Sequence, residues 1–210
     1  MKQPRDVVEA YRVCAEFQRV FADDLDFDRA FEATFTKDPK RRREIAIAES
    51  ELGDVDLTQV DDATLLSVYK DQNQLFFLML PLIDAKDELD RAILFPTQIE
   101  AIFERLKSKD NKNLSAYAEQ LHRDVTDFRA HLNDLAAKYP RVAEGIHKYK
   151  QSLSGKLEPP TSYVVKPLTA YSKGRVLALN EKYYQIESYA VIREGAEMRI
   201  IGIRFFSRLF

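Results

Sequence analysis

The stretch YYQIESYAVIREGAEMRIIGIRFF, residues 183–206, decides the fold, because its apolar side chains recur at about every second position. This alternation is typical of β-strands. Glu194 and Gly195 interrupt it, and Gly supplies the positive φ that a hairpin turn needs. We therefore predict two antiparallel strands, 183–193 and 197–206, joined by this turn.

Two shorter strands are expected before this hairpin, at 163–168 and 175–179. Asn180 and Glu181 are expected to form a tight turn that leads into strand 183–193. Residues 154–162 are rich in Ser, Gly and Pro, which marks a connector. The sequence therefore predicts an antiparallel β-meander at 163–210.

Residues 1–153 carry the spacing of amphipathic helices. Apolar side chains recur at three- and four-residue steps within 5–22 and again within 114–135. The stretch 62–86 is apolar on most sides, which indicates a central helix that Pro81 ends or kinks. A helix is also expected to begin at Thr97, because Glu100 gives it capping-box spacing.

These patterns together predict an α+β fold in one compact unit. Its N-terminal three-quarters, 1–153, hold about six or seven helices, and a meander of three or four strands packs on them.

An alternative fold comes from the order of the elements. An early helix, an aspartate-rich helix start at Asp24, Asp26 and Asp28, and a long final meander follow one another in an order that resembles the NTF2-like cone folds. The resemblance covers 1–35 and 161–210, so the helical middle would be an insertion. It implies a curved sheet that encloses a pocket and often dimerises.

Composition and charge argue against several classes of protein. A net charge of −2 provides no overall attraction to nucleic acid or to anionic membranes. The most apolar run, 75–83, contains Pro81 and is far shorter than the roughly twenty residues that a membrane span needs. A single cysteine excludes an internal disulfide, and residues 1–5 lead into a mixed helix rather than an apolar signal region. We expect a cytoplasmic protein that does not bind membranes, with nucleic-acid binding through local basic patches, 40–43 and 138–173, as the weaker alternative.

Sequence motifs give no catalytic residue, metal or cofactor. Asp24, Asp26 and Asp28 begin like a calcium loop, but Arg29 and Phe35 occupy the positions of the required Gly and Glu, so helix capping is the better interpretation. His131 lies four residues after Asp127 on a predicted helix, with Asp124 and Asp134 nearby. Since a catalytic zinc site usually takes three protein ligands, commonly two of them histidines, no metal site is predicted. Cys14 falls on the apolar stripe of the first helix and is expected in the core.

A basic run supplies a weak candidate for anion binding: Lys40, Arg41, Arg42 and Arg43. Acidic residues follow it at once, and no aromatic side chains are interleaved for base stacking. The start of a solvated helix is the competing interpretation.

The final hairpin is expected to be apolar on both faces, so helices, a second subunit or a ligand must cover the second face. The candidates for a pocket or an interface are Tyr183, Gln185, Glu187, Tyr189, Met198 and Arg204. Our first hypothesis is a non-enzymatic intracellular protein that binds a partner or itself, as a homo-oligomer, through this aromatic face. The alternative is a small-molecule-binding protein or cofactorless enzyme with an apolar pocket between sheet and helices, anchored by Glu187 and Arg204.

Overall fold

The computed structural model describes residues 4–50, 59–85, 113–154, 164–172 and 175–203. Its helices are α1 (Arg5–Asp24), α2 (Phe27–Thr34), α3 (Pro39–Glu49), α4 (Asp62–Met79), α5 (Leu114–Lys138) and α6 (Pro140–Ser154), with a 3₁₀ helix at Leu80–Ala85. Its strands are β1 (Val164–Ser172), β2 (Arg175–Ile186), β3 (Tyr189–Glu194) and β4 (Glu197–Ile203). The strands form one antiparallel sheet in the order β1-β2-β3-β4, so the predicted α+β class is confirmed.

The chain divides into two compact units. The first comprises Met1–Ser50 and Gly155–Phe210, and the second comprises Glu51–Ser154. The second unit lies within the helical middle, 36–160, that the NTF2-like alternative treats as an insertion, but α3 belongs to the first unit. That alternative stays a prediction, and so do the boundaries expected for the helical region, the connector and the meander.

Capping side chains mark the starts of α2 and α3 in the first unit. The Asp26 side chain accepts a hydrogen bond from the Arg29 amide and so caps α2, which confirms the capping interpretation of the aspartate cluster. Asp38 caps α3 in the same way, and Pro39 occupies the first turn, where its missing N–H costs nothing.

An aromatic cluster fills the space between α1, α2 and β3. The Phe17 ring lies 5.8 Å from the rings of Phe27 and Tyr189 and 5.9 Å from that of Phe35, measured between centroids. The Phe31 and Phe35 rings stack at 4.3 Å. Such pairs add about 0.5–1.5 kcal/mol each beyond their burial, so this cluster is the centre of the first unit's core.

One predicted turn in the sheet is wrong. β2 continues through Asn180 and Glu181, and the chain instead turns at Glu187 and Ser188, with Ile186 paired to Tyr189. Residues 180–182 are three consecutive polar residues, which indicate a turn, whereas only Glu187 and Ser188 separate Ile186 from Tyr189. Glu187 adopts φ 50, a conformation that usually selects glycine, and its residue type gave no turn signal.

The second turn of the meander agrees with expectation. β3 ends at Glu194, β4 begins at Glu197, and Gly195 between them has φ 61. The outer edge of β4 is joined by the residues that follow α2, where Phe35 forms a parallel bridge with Ile200. Helix α1 packs against β2, β3 and β4, while α3 contacts β1 and β4.

In the second unit, α4 is buried at every position from Asp71 to Leu78, as expected of a helix contacted from several sides. It ends at Met79, two residues before Pro81. Helix α5 buries the predicted apolar stripe, and α6 follows it directly. The helix predicted at Thr97 lies outside the described residues. Within the described ranges, no helix has the length and apolar character that a membrane crossing requires.

Candidate functional site

The structure distributes the predicted hairpin residues over two faces of the sheet. Directly paired residues share a face. Tyr183 pairs with Ile192 and Gln185 with Ala190 on one face, whereas Ile186 pairs with Tyr189 on the other. Because the chain turns at Glu187 and Ser188, Tyr183 and Gln185 lie on the opposite face of the sheet from Tyr189. The single aromatic face that the sequence suggested is therefore not formed.

Tyr189 lies in the first unit's core rather than on a surface. Its side chain is buried, its ring contacts Phe17, and its hydroxyl accepts a hydrogen bond from the Gln18 amide at 3.2 Å. Burial raises the pKa of this hydroxyl. Met198 is buried as well. Helix α1 thus covers the face that carries Tyr189.

The opposite face is also covered within one chain. Tyr183, Ala190 and Ile192 form a small buried cluster, and Ile201 packs partly buried against them. Gln185 is half-buried beside it. The expectation that helices would leave a large aromatic surface for a partner therefore finds no support in these residues, because their apolar area is already hidden.

Of the two predicted polar anchors, Glu187 and Arg204, only Glu187 lies within the described residues. Glu187 is exposed in the β2–β3 turn, so its predicted position within a strand is wrong. The physical reason is again the position of the turn, which places this side chain at the end of the hairpin. Arg204 lies outside the described residues.

Two arginines of the basic run, Arg41 and Arg42, pair with groups of the same chain. Arg42 makes two hydrogen bonds to the Glu32 carboxylate, at 3.1 and 2.9 Å, donates to the Thr36 carbonyl and lies 5.0 Å from the centre of the Phe31 ring. Arg41 pairs with Asp38 at 3.4 Å. Lys40 is exposed and Arg43 half-buried. These contacts favour a helix start tied to its neighbours, and anion binding by the run stays a prediction.

Cys14 has the predicted core position. It is fully buried, its thiol donates to the Ala10 carbonyl, and burial raises its pKa. Asp124 is buried and accepts from Gln120, whereas Asp127 is exposed. The described part of the chain contains no group of three side chains suited to hold a metal ion.

The second unit contains a group of buried polar residues that the sequence patterns had not indicated as a site. Four consecutive polar residues of α4 are buried: Asp71, Gln72, Asn73 and Gln74. Four successive positions point to all sides of a helix, so each needs a polar partner from a different direction. The sequence signal for this site is the polar run 71–74 within a helix that is apolar on most sides. The apolar run 75–80, which follows directly, drew the interpretation towards core packing.

Asp71 and His122 form a pair in which a buried acid meets an exposed base. His122 Nδ1 lies 3.2 and 3.4 Å from the two Asp71 carboxylate oxygens. The Asp71 side chain is 11% exposed, whereas that of His122 is 70% exposed. Ser67, one turn earlier on α4, donates to Asp71 Oδ2 at 3.5 Å. The pair links α4 to α5.

This geometry favours one tautomer of the imidazole. An ionised carboxylate can only accept hydrogen bonds, so a hydrogen bond from Nδ1 to Asp71 requires the proton on Nδ1. In the neutral ring, the lone pair then lies on Nε2, on the side of the ring away from Asp71. Because the side chain is mostly exposed, Nε2 is available to react with a molecule from solvent.

A second contact on the opposite flank of α5 holds the same helices together. The Gln72 amide donates to the Tyr117 hydroxyl at 3.2 Å. With an inter-helix contact on each side of the buried stripe of α5, the helix is restrained against rotation. The His122 ring is therefore carried on a restrained support, as a reactive group requires.

Comparison of the chain with protein-family models, with curated proteins and with solved structures finds no match.

Proposed function

We propose that this chain is a cytoplasmic, cofactorless enzyme in which His122 acts as the catalytic base and Asp71 as its positioning residue. The observation that carries the proposal is the contact between the buried Asp71 carboxylate and Nδ1 of the exposed His122 ring. A carboxylate in this place holds an imidazole in one tautomer and orientation, which is the role such acids have beside general bases.

The chemistry follows from that arrangement. Nε2 removes a proton from water or from another nucleophile as the nucleophile attacks the substrate, and the ring becomes an imidazolium. The positive charge is stabilised by Asp71, which is mostly shielded from solvent, so screening is weaker than at an exposed pair. General-base catalysis of this kind typically contributes about 10²–10⁴ in rate.

Hydrolysis of p-nitrophenyl acetate by the full chain tests the proposal, because this activated ester reports on accessible, unprotonated imidazole. We expect His122→Gln to lose most of the activity. Gln can still donate to Asp71, so the helix pairing is kept. The matched control is His147→Gln: His147 is also exposed on a helix, but its ring contacts the Gln151 amide instead of a carboxylate. Equal rates for the wild type and His122→Gln would refute the proposal.

Asp71→Asn separates positioning from folding. Its amide can donate as well as accept, so the imidazole is no longer restricted to the tautomer with the proton on Nδ1. We expect at least about a tenfold loss of activity with an unchanged circular dichroism spectrum. A folded variant with full activity would show that Asp71 does not position His122.

Association with a protein partner or a second copy of the chain, and binding of a small apolar ligand, remain predictions from the sequence. They no longer have the support of an open aromatic face, since Tyr183, Tyr189 and Met198 are buried. Light scattering of the full chain over a concentration series tests self-association directly, and a monomer throughout would contradict it.

A further inference from the structure

From the same contact, and resting on the proposed function, we infer that His122 Nε2 is a phosphoryl acceptor, with acyl phosphates or phosphoramidates as the class of donor. The two helices bring together an accessible Nε2, which N-phosphorylation needs, and a carboxylate at Nδ1, which orients the ring. These residues are 51 positions apart in the chain and meet only through the packing of α4 on α5.

Exposure favours a nucleophilic role for the ring. Phosphoryl transfer needs the nucleophile, the phosphorus and the leaving group roughly in line, so the donor must approach along the axis of the Nε2 lone pair. At 70% exposure, the His122 ring can accept a donor from bulk solvent. His131 offers a contrast, because its Nε2 is enclosed and makes no hydrogen bond.

The transfer balances without an additional reactant. The Nε2 lone pair forms the N–P bond while the P–O bond of an acyl phosphate, or the P–N bond of an N-protonated phosphoramidate, breaks. The departing carboxylate, or the departing ammonia or amine, keeps that electron pair. The proton on Nδ1 remains in place, so the phosphorylated ring is an imidazolium. Its charge faces the Asp71 carboxylate, which stabilises the product as well as orienting the reactant.

The test uses the full chain with acetyl phosphate and, separately, potassium phosphoramidate as donors. Intact mass and ³¹P NMR should show one acid-labile phosphoryl group, and peptide mapping should place it on His122. His147 serves as an internal control, since it is exposed but has an amide neighbour. We expect phosphorylation of His122 to be at least about tenfold faster than that of His147.

The variants distinguish this inference from the proposed function. His122→Gln should remove the fast-forming acid-labile group, and Asp71→Asn should slow its formation. If His122-dependent ester hydrolysis is present but His122 is phosphorylated no faster than His147, the phosphoryl inference is refuted and the catalytic-base proposal stands. If ester hydrolysis does not depend on His122, both fail.

Discussion

Gly145 of α6 lies against the backbone carbonyl of Pro81, so closely that an added Cβ would be 2.6 Å from the Pro81 oxygen. Because a carbonyl group of the 3₁₀ helix cannot move like a flexible side chain, this approach requires glycine. It also explains why a helix interior keeps a residue that costs about 1 kcal/mol relative to alanine.

Gly145→Ala should therefore destabilise the protein although alanine is the better helix former. Overpacking costs about 1–3 kcal/mol, which exceeds the gain in propensity. Urea unfolding measures the change in free energy. Ala143→Gly, at an exposed position of the same helix, is the control and should cost about 1 kcal/mol from propensity alone. A Gly145→Ala variant more stable than the wild type would contradict the packing.

Arg193 connects β3 to the start of α1 and makes this contact sensitive to acid. It donates to Asp6 at 2.7 Å and to Glu9 at 2.6 Å. The Tyr184 hydroxyl and then Arg193 lower the pKa of Asp6, while Arg193 and then Arg5 lower that of Glu9. Because both folded-state pKa values lie below the ordinary values of 3.8 and 4.5, the stabilisation is complete above those values and is lost as pH falls through the lowered ones.

Arg193→Gln should accordingly reduce stability at neutral pH, and the difference from the wild type should shrink in acid. Thermal unfolding across a pH series measures this convergence. Arg12→Gln, which removes an exposed charge from α1, should show no such convergence. A constant difference between Arg193→Gln and the wild type at all pH values would exclude the ion-pair account.

The Cys14 thiol should be unreactive in the folded protein. It is fully buried, and burial raises its pKa, so little reactive thiolate is present or accessible. Ellman's reagent should label one thiol per chain in urea and almost none in buffer, since Cys14 is the only cysteine of the sequence. Rapid labelling of the native protein would contradict the position of α1 in the core.

Glu187→Gly should stabilise the first unit. The left-handed φ of 50 costs a non-glycine residue roughly 1 kcal/mol, and glycine relieves this strain in the two-residue turn. Chemical denaturation of the full chain measures the gain. Glu187→Ala is the control for the loss of the charge alone, and it should not stabilise because its Cβ retains the strain. A similar gain for both variants would point to charge instead of backbone conformation.

Local patterns in the sequence identified most of the helices correctly. The stripe that holds Cys14 and the cap at Asp26 depend on neighbours within a few residues, so they can be recognised in a linear sequence. The turn at Glu187 could not be recognised in this way. Its conformation is unfavourable for its residue type and is imposed by the pairing of β2 with β3 and their packing on α1.

The sequence by itself determined the α+β class, the core position of Cys14 and the end of α4 before Pro81, because periodicity and chain-breaking residues act over one or two turns. Only the tertiary structure decided which side of the sheet each tyrosine occupies and that the acid at 71 meets the histidine at 122. Periodicity encodes whether a side chain is buried. Its partner is chosen by the packing of elements that are distant in the chain, and the reactive imidazole depends on that choice.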